Sequence, residues 1–318
     1  MGERGSQAFD AAALRGLLAD LPNGQQLSPA HVSQYRQFYG LDYKALPHQH
    51  RLFCLSSGQY RLAVQYFLPD QVHGYVMLCH GYYDHVGLYG HVIQYFLERG
   101  IAVVAYDQIG HGLSGGRPVT IDNFDRYVEA TRVVYEFARL DLQDDKPWHW
   151  FGQSMGGAVV MEYHQQYPSQ PGATGEVILF APLIRPYAWG VNRWVFALAK
   201  RLITERARTL TDNAENPEFH ALQKKDPLQA HVLPVAWVQA MVNWQTRFVR
   251  YPISQQTPLL VQGNADRTVD WKYGLQTYAR RYPGTRQLIL DGGRHHLANE
   301  SSSKRAQIWA FLDQQGRW

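Results

Sequence analysis

Residues 152–157 read Gly-Gln-Ser-Met-Gly-Gly, and this stretch decides the fold that we expect for the chain. It follows a short apolar run at 148–151 and precedes a helix-like run at 158–163. A strand, a G-x-S-x-G turn and a helix in this order form a nucleophile elbow, with the serine on a sharp turn at the top of a sheet. Cβ atoms at Gly152 and Gly156 would clash in so tight a turn. Ser154 is therefore expected on exposed, strained backbone.

A serine hydroxyl is a poor nucleophile at neutral pH, so it needs a base to take its proton and donors to hold the oxyanion. Asp266 ends a segment that begins with the apolar run at 259–261, and His295 ends a similar segment that begins at 288. Ser, Asp and His in this order, each just after a candidate strand, match the α/β-hydrolase triad. We therefore predict Ser154, Asp266 and His295 as catalytic residues. Asp270 is the alternative aspartate, but it precedes a helix-like run and is better suited to cap that helix.

The oxyanion donors are predicted from an earlier block. The run at 76–79 is typical of a buried strand and continues into His-Gly-Tyr-Tyr-Asp-His at 80–85. His-Gly after an early strand is where the α/β-hydrolase fold carries its second oxyanion donor. The predicted donors are the backbone N–H groups of Tyr82 and of Met155, the residue after the nucleophile.

The same block raises the question of a metal site, because His80 and His85 share the loop with Asp84. No tetrahedral set of nitrogen and sulfur ligands is evident in the sequence. We therefore expect the histidines to brace the loop by hydrogen bonds, and we predict neither a metal nor an organic cofactor.

Four blocks together resemble the monoglyceride lipase and bacterial lysophospholipase branch of the α/β-hydrolases. That branch consists of serine hydrolases of the serine aminopeptidase S33 type (Hydrolase_4), and its members carry a helical cap. The blocks are 80–85, Asp-Gln-Ile-Gly-His-Gly-Leu-Ser at 107–114, 152–157, and Asn-Ala-Asp at 264–266 with Gly-Arg-His at 293–295. The family motif places the base directly after Gly-Arg, which favours His295 over His296.

The chain departs from the family pattern at two positions. Gln153 precedes the nucleophile where histidine is common, and Tyr82 stands where many members have a small residue. A backbone donor does not depend on its side chain, so the expected mechanism is unaffected. The bulk of Tyr82 leaves the shape of the pocket open.

Bulk properties exclude several classes of protein. The chain has 318 residues, a formal net charge of +4 and no long basic run, so we expect no nucleic-acid partner. Cys54 and Cys79 form no C-x-x-C motif, and a disulfide framework is not expected. The first residues contain no apolar signal core. Together these features favour a cytoplasmic protein with at most a weak peripheral attraction to anionic membranes, and they make no prediction of oligomeric state.

Strand-like and helix-like runs alternate from residue 51 onward, which predicts an α/β class protein with the α/β-hydrolase fold. Its sheet should be doubly wound and mostly parallel, with a helical cap insertion. We divide the chain into an N-terminal helical extension (1–45), a first part of the core (46–182), a helical cap (183–252) and a second part of the core (253–318). Two helices are expected in the extension, at 8–20 and from Ser28 to about Tyr39.

The segment assigned to the cap is rich in large apolar side chains. Trp237, Met241 and Trp244 step by four and three residues, so they share one helical face. That face either packs on the core or lines an acyl pocket, and both hold if the cap covers a lipid site. The candidate substrate-pocket residues are Trp189, Trp194, Trp237, Met241 and Trp244.

These features predict a carboxylic ester hydrolase that works through an acyl-enzyme intermediate. An aromatic cap favours a single long acyl chain, and the family resemblance implies a lysophospholipid or a monoacylglycerol as the lipid ester substrate. One alternative is a short-chain carboxylesterase or thioesterase of the same fold, which chain-length preference would distinguish. The other is a non-catalytic binding protein, which fluorophosphonate labelling of Ser154 would exclude.

Overall fold

The computed structural model describes residues 9–43, 45–143, 145–168, 175–190, 193–194, 196, 202–208 and 211–318. Within them the strands are β1 (His48–Ser57), β2 (Tyr60–Pro69), β3 (Gly74–Cys79), β4 (Ile101–Tyr106), β5 (Trp148–Gln153), β6 (Val177–Phe180), β7 (Glu205–Ala207), β8 (Val232–Pro234), β9 (Leu259–Gly263) and β10 (Arg286–Leu290). Eight of them form one sheet in the order β1-β2-β4-β3-β5-β6-β9-β10. β2 is antiparallel to β1 and β4, whereas the other neighbouring strands are parallel. The predicted mostly parallel sheet is confirmed.

Helices cover both faces of this sheet. Within the described residues they are α1 (Ala11–Asp20), α2 (Pro29–Tyr39), α3 (Gly90–Leu97), α4 (Asp125–Leu142), α5 (Met155–Gln166), α6 (Pro217–Lys225), α7 (Val235–Phe248), α8 (Trp271–Arg281) and α9 (Ser302–Gln315). Val76 and Leu78 of β3 join the apolar cluster that includes α3 and α9, whereas Met77 and Cys79 join the cluster that includes α4 and α5. Burial on both faces explains the continuous apolar run of β4. None of these helices is long and apolar enough to cross a membrane.

The N-terminal segment packs against one face of the sheet. α1 begins after Asp10, whose side chain accepts a hydrogen bond from the amide of Ala13 at 2.9 Å. α2 begins at Pro29, as predicted, and ends at Tyr39, which is followed by the capping residue Gly40 with a φ of 65°. Buried side chains of both helices, including Leu14 and Tyr35, join the apolar cluster on the α3 side of the sheet. The two predicted helices are therefore present, and they extend the core.

The segment between β6 and β9 departs from the strand–helix alternation of the rest of the chain. It contains α6 and α7, but also the short antiparallel pair of β7 and β8, in which Glu205 lies opposite Pro234. The sequence analysis predicted a helical cap here and did not predict these two strands. Strands of three residues are too short to produce a recognisable alternation of polar and apolar side chains.

We expect Gly156→Ala to lower the free energy of unfolding by about 3 kcal/mol or more, because overpacking a rigid backbone contact is costly. A Cβ at this position would overlap the backbone carbonyl of Cys79. The matched control is Gly16→Ala in α1, where a Cβ would meet no heavy atom within 4 Å. That control should gain about 0.5–1 kcal/mol. Chemical denaturation of both variants checks this, and equal effects would contradict it.

Candidate active site

The side chains of Ser154, His295 and Asp266 form one chain of hydrogen bonds. Nε2 of His295 lies 2.9 Å from Oγ of Ser154, and Nδ1 of the same ring lies 2.8 Å from Oδ2 of Asp266. The three residues follow β5, β10 and β9, at the carboxyl edge where parallel sheets carry their ligands. Asp270 does not join them, because it caps α8 by accepting from the amide of Tyr273.

Asp266 is held as a carboxylate. Its Oδ1 accepts from the amides of Thr268 at 2.7 Å and Val269 at 3.1 Å, and its Oδ2 accepts from the side chain of Gln262 at 3.1 Å. Burial alone would raise the pKa of Asp266, but His295 and the two amides lower it below the usual range. An ionised Asp266 fixes the proton of His295 on Nδ1, so Nε2 can accept the proton of the serine hydroxyl.

His295 carries the opposite shift. Burial lowers the pKa of this ring, but the charge of Asp266 and the hydrogen bond to it outweigh burial, with a further contribution from Asp84. The pKa of His295 is therefore raised above its ordinary value. The raised pKa means that Asp266 stabilises the imidazolium, which is the form that results when the ring takes a proton from a serine.

The elbow holds Ser154 in a strained backbone conformation, with φ 53° and ψ −117°. Positive φ is uncommon for a residue with a Cβ and needs support from its surroundings. The end of β6 and the chain after it give that support, because the Ser154 amide donates to the carbonyl of Phe180 at 2.8 Å and its carbonyl accepts from Leu183 at 2.9 Å. A Cβ on Gly152 would lie 2.5 Å from the carbonyl oxygen of Gly156, so only glycine fits the turn.

The loop at 80–85, called the oxyanion loop after its predicted role, lies directly against Ser154. A Cβ built on Gly81 would lie 3.4 Å from the Cβ of Ser154. The amides of Tyr82 and Met155 make no hydrogen bond to any other described residue, so both can bind an oxyanion. Tyr83, which follows Tyr82 in the chain, has a φ of 70°. It is a second residue with strained backbone close to Ser154.

His80 braces this loop as a neutral ring. Its Nε2 accepts from the amide of Gln108 at 2.8 Å, so Nδ1 carries the proton and donates to the carbonyl of Gly81 at 2.8 Å. Burial lowers the pKa of His80 to about 3. Among the described residues, no group of three or more His, Cys, Asp or Glu side chains is arranged to hold a metal.

Sequence reasoning missed two polar residues that hold the loops around the triad. Oε1 of Gln153 accepts from the amide of Ala298 at 3.0 Å, which ties the elbow to the loop after His295. The carbonyl of Asn213 accepts from the amide of His296 at 2.7 Å, and its side chain lies 3.0 Å from the hydroxyl of Thr268. Asn213 therefore joins the segment between β6 and β9 to both catalytic loops.

Glu300 is a third such residue and is fully buried. Its carboxylate accepts from the amide of Arg294 at 2.6 Å and from the amide of Glu215 at 2.9 Å. No sequence motif marks Glu300. In the sequence it is only a charged residue five positions after His295. Its role cannot be predicted until the tertiary structure shows which amides it binds.

α7 brings one of the candidate pocket residues to the oxyanion loop. The ring of Trp237 stacks on Tyr82, with centroids 3.7 Å apart and 20° between the planes. Further along the same face, Met241 and Trp244 are buried, and the indole of Trp244 donates to Glu162 of α5 at 3.0 Å. One end of this face therefore lies at the site and the other end packs on the core.

The other two candidate pocket residues lie away from the triad's hydrogen-bonded chain. Trp189 is half-buried, with its ring centroid 6.2 Å from that of Phe196. Trp194 is 69% exposed, and the guanidinium of Arg193 lies 5.0 Å from its ring centroid. Neither ring makes a described contact with Ser154 or His295.

A second buried chain of hydrogen bonds ties three segments together. Nε2 of His85, the last residue of the oxyanion loop, lies 2.8 Å from Oδ2 of Asp226 at the end of α6. The hydroxyl of Tyr39 in α2 donates to Oδ1 of the same carboxylate at 2.6 Å. Burial opposes both charges, but their mutual attraction outweighs it, so the pKa of His85 is raised and that of Asp226 is lowered. A buried ion pair therefore joins α2 and α6 to the site.

The sheet order, the elbow and the Ser-His-Asp geometry define a serine hydrolase of the α/β-hydrolase class. The chain belongs to the family described as serine aminopeptidase, S33 (Hydrolase_4), which matches residues 70–302. The resemblance seen in the sequence is confirmed.

Individual relatives agree with this assignment. The monoacylglycerol lipase of Mycolicibacterium smegmatis is 32% identical over 221 residues, which cover 67% of this chain and 77% of that protein. The monoglyceride lipase of Homo sapiens is 26% identical over 286 residues, which cover 86% and 90%. A soluble variant of monoglyceride lipase from Saccharomyces cerevisiae has a similar structure, with a TM-score of 0.71 at 15% identity over 86% of this chain and 95% of that one. At that identity the structural similarity supports the fold alone.

Asp226→Asn should cost about 3 kcal/mol of unfolding free energy at mildly acidic pH, because it breaks a fully buried ion pair. The raised pKa of His85 gives stability that is complete below the unfolded value of about 6.5 and is lost as pH rises through the folded value. The lowered pKa of Asp226 gives stability that is lost only as pH falls below about 4. The deficit should therefore be largest between about pH 4 and 6.5 and smaller near pH 9.

Urea denaturation at two pH values, about 5.5 and 9, measures this deficit. Tyr39→Phe is the matched control, because it removes only a neutral donor from the same carboxylate. It should cost about 1 kcal/mol at both pH values. A deficit of Asp226→Asn that does not change with pH would contradict the ion pair.

Proposed function

We propose that this chain hydrolyses the carboxylic ester of a lipid with a single acyl chain, through an acyl-enzyme on Ser154. The observation that carries the proposal is the hydrogen-bonded chain from Ser154 through His295 to Asp266 at a strained elbow. The names of the relatives support the lipid part, because they are monoacylglycerol and monoglyceride lipases. The stack of Trp237 on Tyr82 supports it as well, since it gives the site an apolar wall.

The proposed reaction uses each residue of the site once in each half. Nε2 of His295 takes the proton of Ser154, whose Oγ attacks the ester carbonyl carbon. The amides of Tyr82 and Met155 hold the oxyanion, while Asp266 stabilises the imidazolium. The imidazolium then protonates the leaving alcohol, and the acyl group remains on Ser154. Water attacks this acyl-enzyme by the same steps in the second half, releasing the fatty acid.

We propose residues 183–252 as a cap over this site. Ser154 is only 8% exposed, and α7 lies against the oxyanion loop through Trp237. A displacement of this segment to admit a lipid is part of the proposal, as lids and caps commonly provide. Asn213 and Asp226 form hydrogen bonds with Thr268 and His85 of the core. These contacts support a cap that remains attached to the core at these two positions.

Fatty-acid release from 1-oleoylglycerol in neutral detergent micelles tests the proposed activity, with a short-chain nitrophenyl ester as a second substrate. Ser154→Ala should lower both rates by at least about 10⁴-fold, because the acyl-enzyme cannot form. It should also abolish labelling by a fluorophosphonate. The matched control is Ser303→Ala on the exposed face of α9, which should retain full activity. Release of fatty acid by Ser154→Ala would contradict the proposed acyl-enzyme mechanism. Activity of the wild-type protein on the short ester alone would contradict the proposal that the substrate is a lipid.

The pH dependence of kcat/KM should report His295. The ring must be neutral to accept a proton, and Asp266 raises its pKa, so activity should fall on acidification with a midpoint above about 6.5. Asp266→Asn removes the two largest effects that raise the pKa of His295 and leaves burial opposed only by Asp84. The midpoint should therefore move to lower pH, and the plateau should drop about 10⁴-fold. Profiles on the nitrophenyl ester measure both changes. An unmoved midpoint would assign the acid limb to another group.

A further inference from the structure

Arg208 lies just after β7 and faces the oxyanion loop. Its guanidinium lies over the ring of Tyr83, 3.9 Å from the ring centroid. Nη1 of Arg208 donates to Oε1 of Gln229 at 2.6 Å and to the carbonyl of Ala230 at 3.1 Å. The stack and the two hydrogen bonds fix the plane of the guanidinium and the direction of its remaining edge.

That remaining edge carries Nε and Nη2, and neither donates to any other described residue. No carboxylate in the described part of the chain lies within ion-pair distance of Arg208. Neither nitrogen is a buried polar atom without a hydrogen-bond partner. Because neither donates to a described residue, this edge is exposed to solvent and accessible to a ligand. It is the edge with which arginine makes paired hydrogen bonds to carboxylates and phosphates.

Arg185 gives an internal comparison. Its guanidinium lies over Tyr273, 3.6 Å from the ring centroid, in the same kind of stack. There, Nε and Nη2 both donate to Oδ2 of Asp270, at 2.9 Å and 2.7 Å. Arg208 has the same support from a tyrosine ring but no anion on the corresponding edge.

The charge of Arg208 is not compensated locally. Burial lowers the pKa of this half-buried side chain, and the more distant Asp84 and the Tyr83 hydroxyl oppose that effect without overcoming it. Asp84 already accepts from the hydroxyl of Tyr89 at 2.7 Å. A cation partly removed from water without a paired anion is unfavourable, so binding an anion here recovers free energy.

The position relative to the nucleophile identifies the part of the substrate concerned. Tyr83 directly follows the proposed oxyanion donor Tyr82, and their rings lie 4.2 Å apart between centroids. Arg206 lies in β7, two residues before Arg208, and its charge, like that of Arg208, acts to lower the pKa of Tyr83. Two positive charges therefore lie near this loop. The acyl chain of a monoacyl lipid is uncharged, so an anionic group of the substrate belongs to the alcohol side of the ester.

We propose that Arg208 binds the phosphate of the substrate's head group through Nε and Nη2. The preferred substrates are then monoacyl lipids whose glycerol carries a phosphate, and uncharged monoacylglycerol is a poorer substrate. This inference rests on the proposed function. It assigns Arg208 a role in binding and specificity, outside the bond-breaking steps.

The test compares kcat/KM for 1-oleoyl lysophosphatidic acid and 1-oleoylglycerol at equal mole fraction in neutral detergent micelles. The wild-type protein should prefer the phosphate lipid. Arg208→Gln should lose about 10- to 100-fold more on that lipid than on 1-oleoylglycerol, because only the phosphate lipid loses charge-assisted hydrogen bonds to the substrate. Arg280→Gln on the exposed surface of α8 removes the same charge elsewhere and should change either rate by less than about twofold.

Other outcomes overturn the proposal in distinguishable ways. Equal losses of Arg208→Gln on both lipids would mean a structural role for Arg208, and no loss on either would remove it from the site. If Arg208→Gln melts well below wild type, Arg208→Lys keeps the charge without the fork and should still show a selective loss on the phosphate lipid. Wild-type protein that cleaves neither lipid but is labelled on Ser154 would contradict the lipid substrate itself.

Discussion

The active site depends on one close backbone contact, between the first turn of α5 and the end of β3. Because Gly156 has no Cβ, its Cα can approach the carbonyl groups of Cys79 and His80. This approach sets Ser154 beside the loop that carries Tyr82. A side chain at Gly156 would push α5 and β3 apart, and Ser154 would lose its proposed oxyanion donors although no side chain of the Ser-His-Asp chain had changed.

Two buried histidines show how the same side chain is set to two tasks. Among the described residues no carboxylate forms an ion pair with His80, and its Nε2 accepts a backbone amide. Burial therefore outweighs the charge of Asp84, and the ring stays neutral as a brace. His295 is also buried, but it donates to the ionised Asp266, so its pKa is raised and its protonated form is stabilised. The neighbouring charge, rather than the degree of burial, separates a structural histidine from a base.

The segment between β6 and β9 is attached to the site by contacts of different kinds. Trp237 gives an apolar stack on the oxyanion loop, whereas Asp226 gives a buried ion pair with His85. The carbonyl of Asn213 accepts from the amide of His296, and Glu300 accepts from the amide of Arg294 and from the amide of Glu215 in this segment. Polar contacts of this kind fix one arrangement, because each buried group needs its particular partner. The positions of both catalytic loops therefore depend on this segment.

The sequence by itself determined the elbow, the chain order of the triad and the burial of the parallel strands, because each is encoded by neighbouring residues: glycine spacing, apolar runs and a polar residue after a strand. Only the tertiary structure decided the roles of Gln153 and Glu300, since each acts on an amide contributed by another loop. The face of α7 marks the boundary between the two. The spacing of the apolar residues in α7 predicted that Trp237 and Trp244 share one side of the helix. Only packing decided that Trp237 reaches the oxyanion loop and that Trp244 binds α5. Helical periodicity contains no information about which element lies opposite a given face.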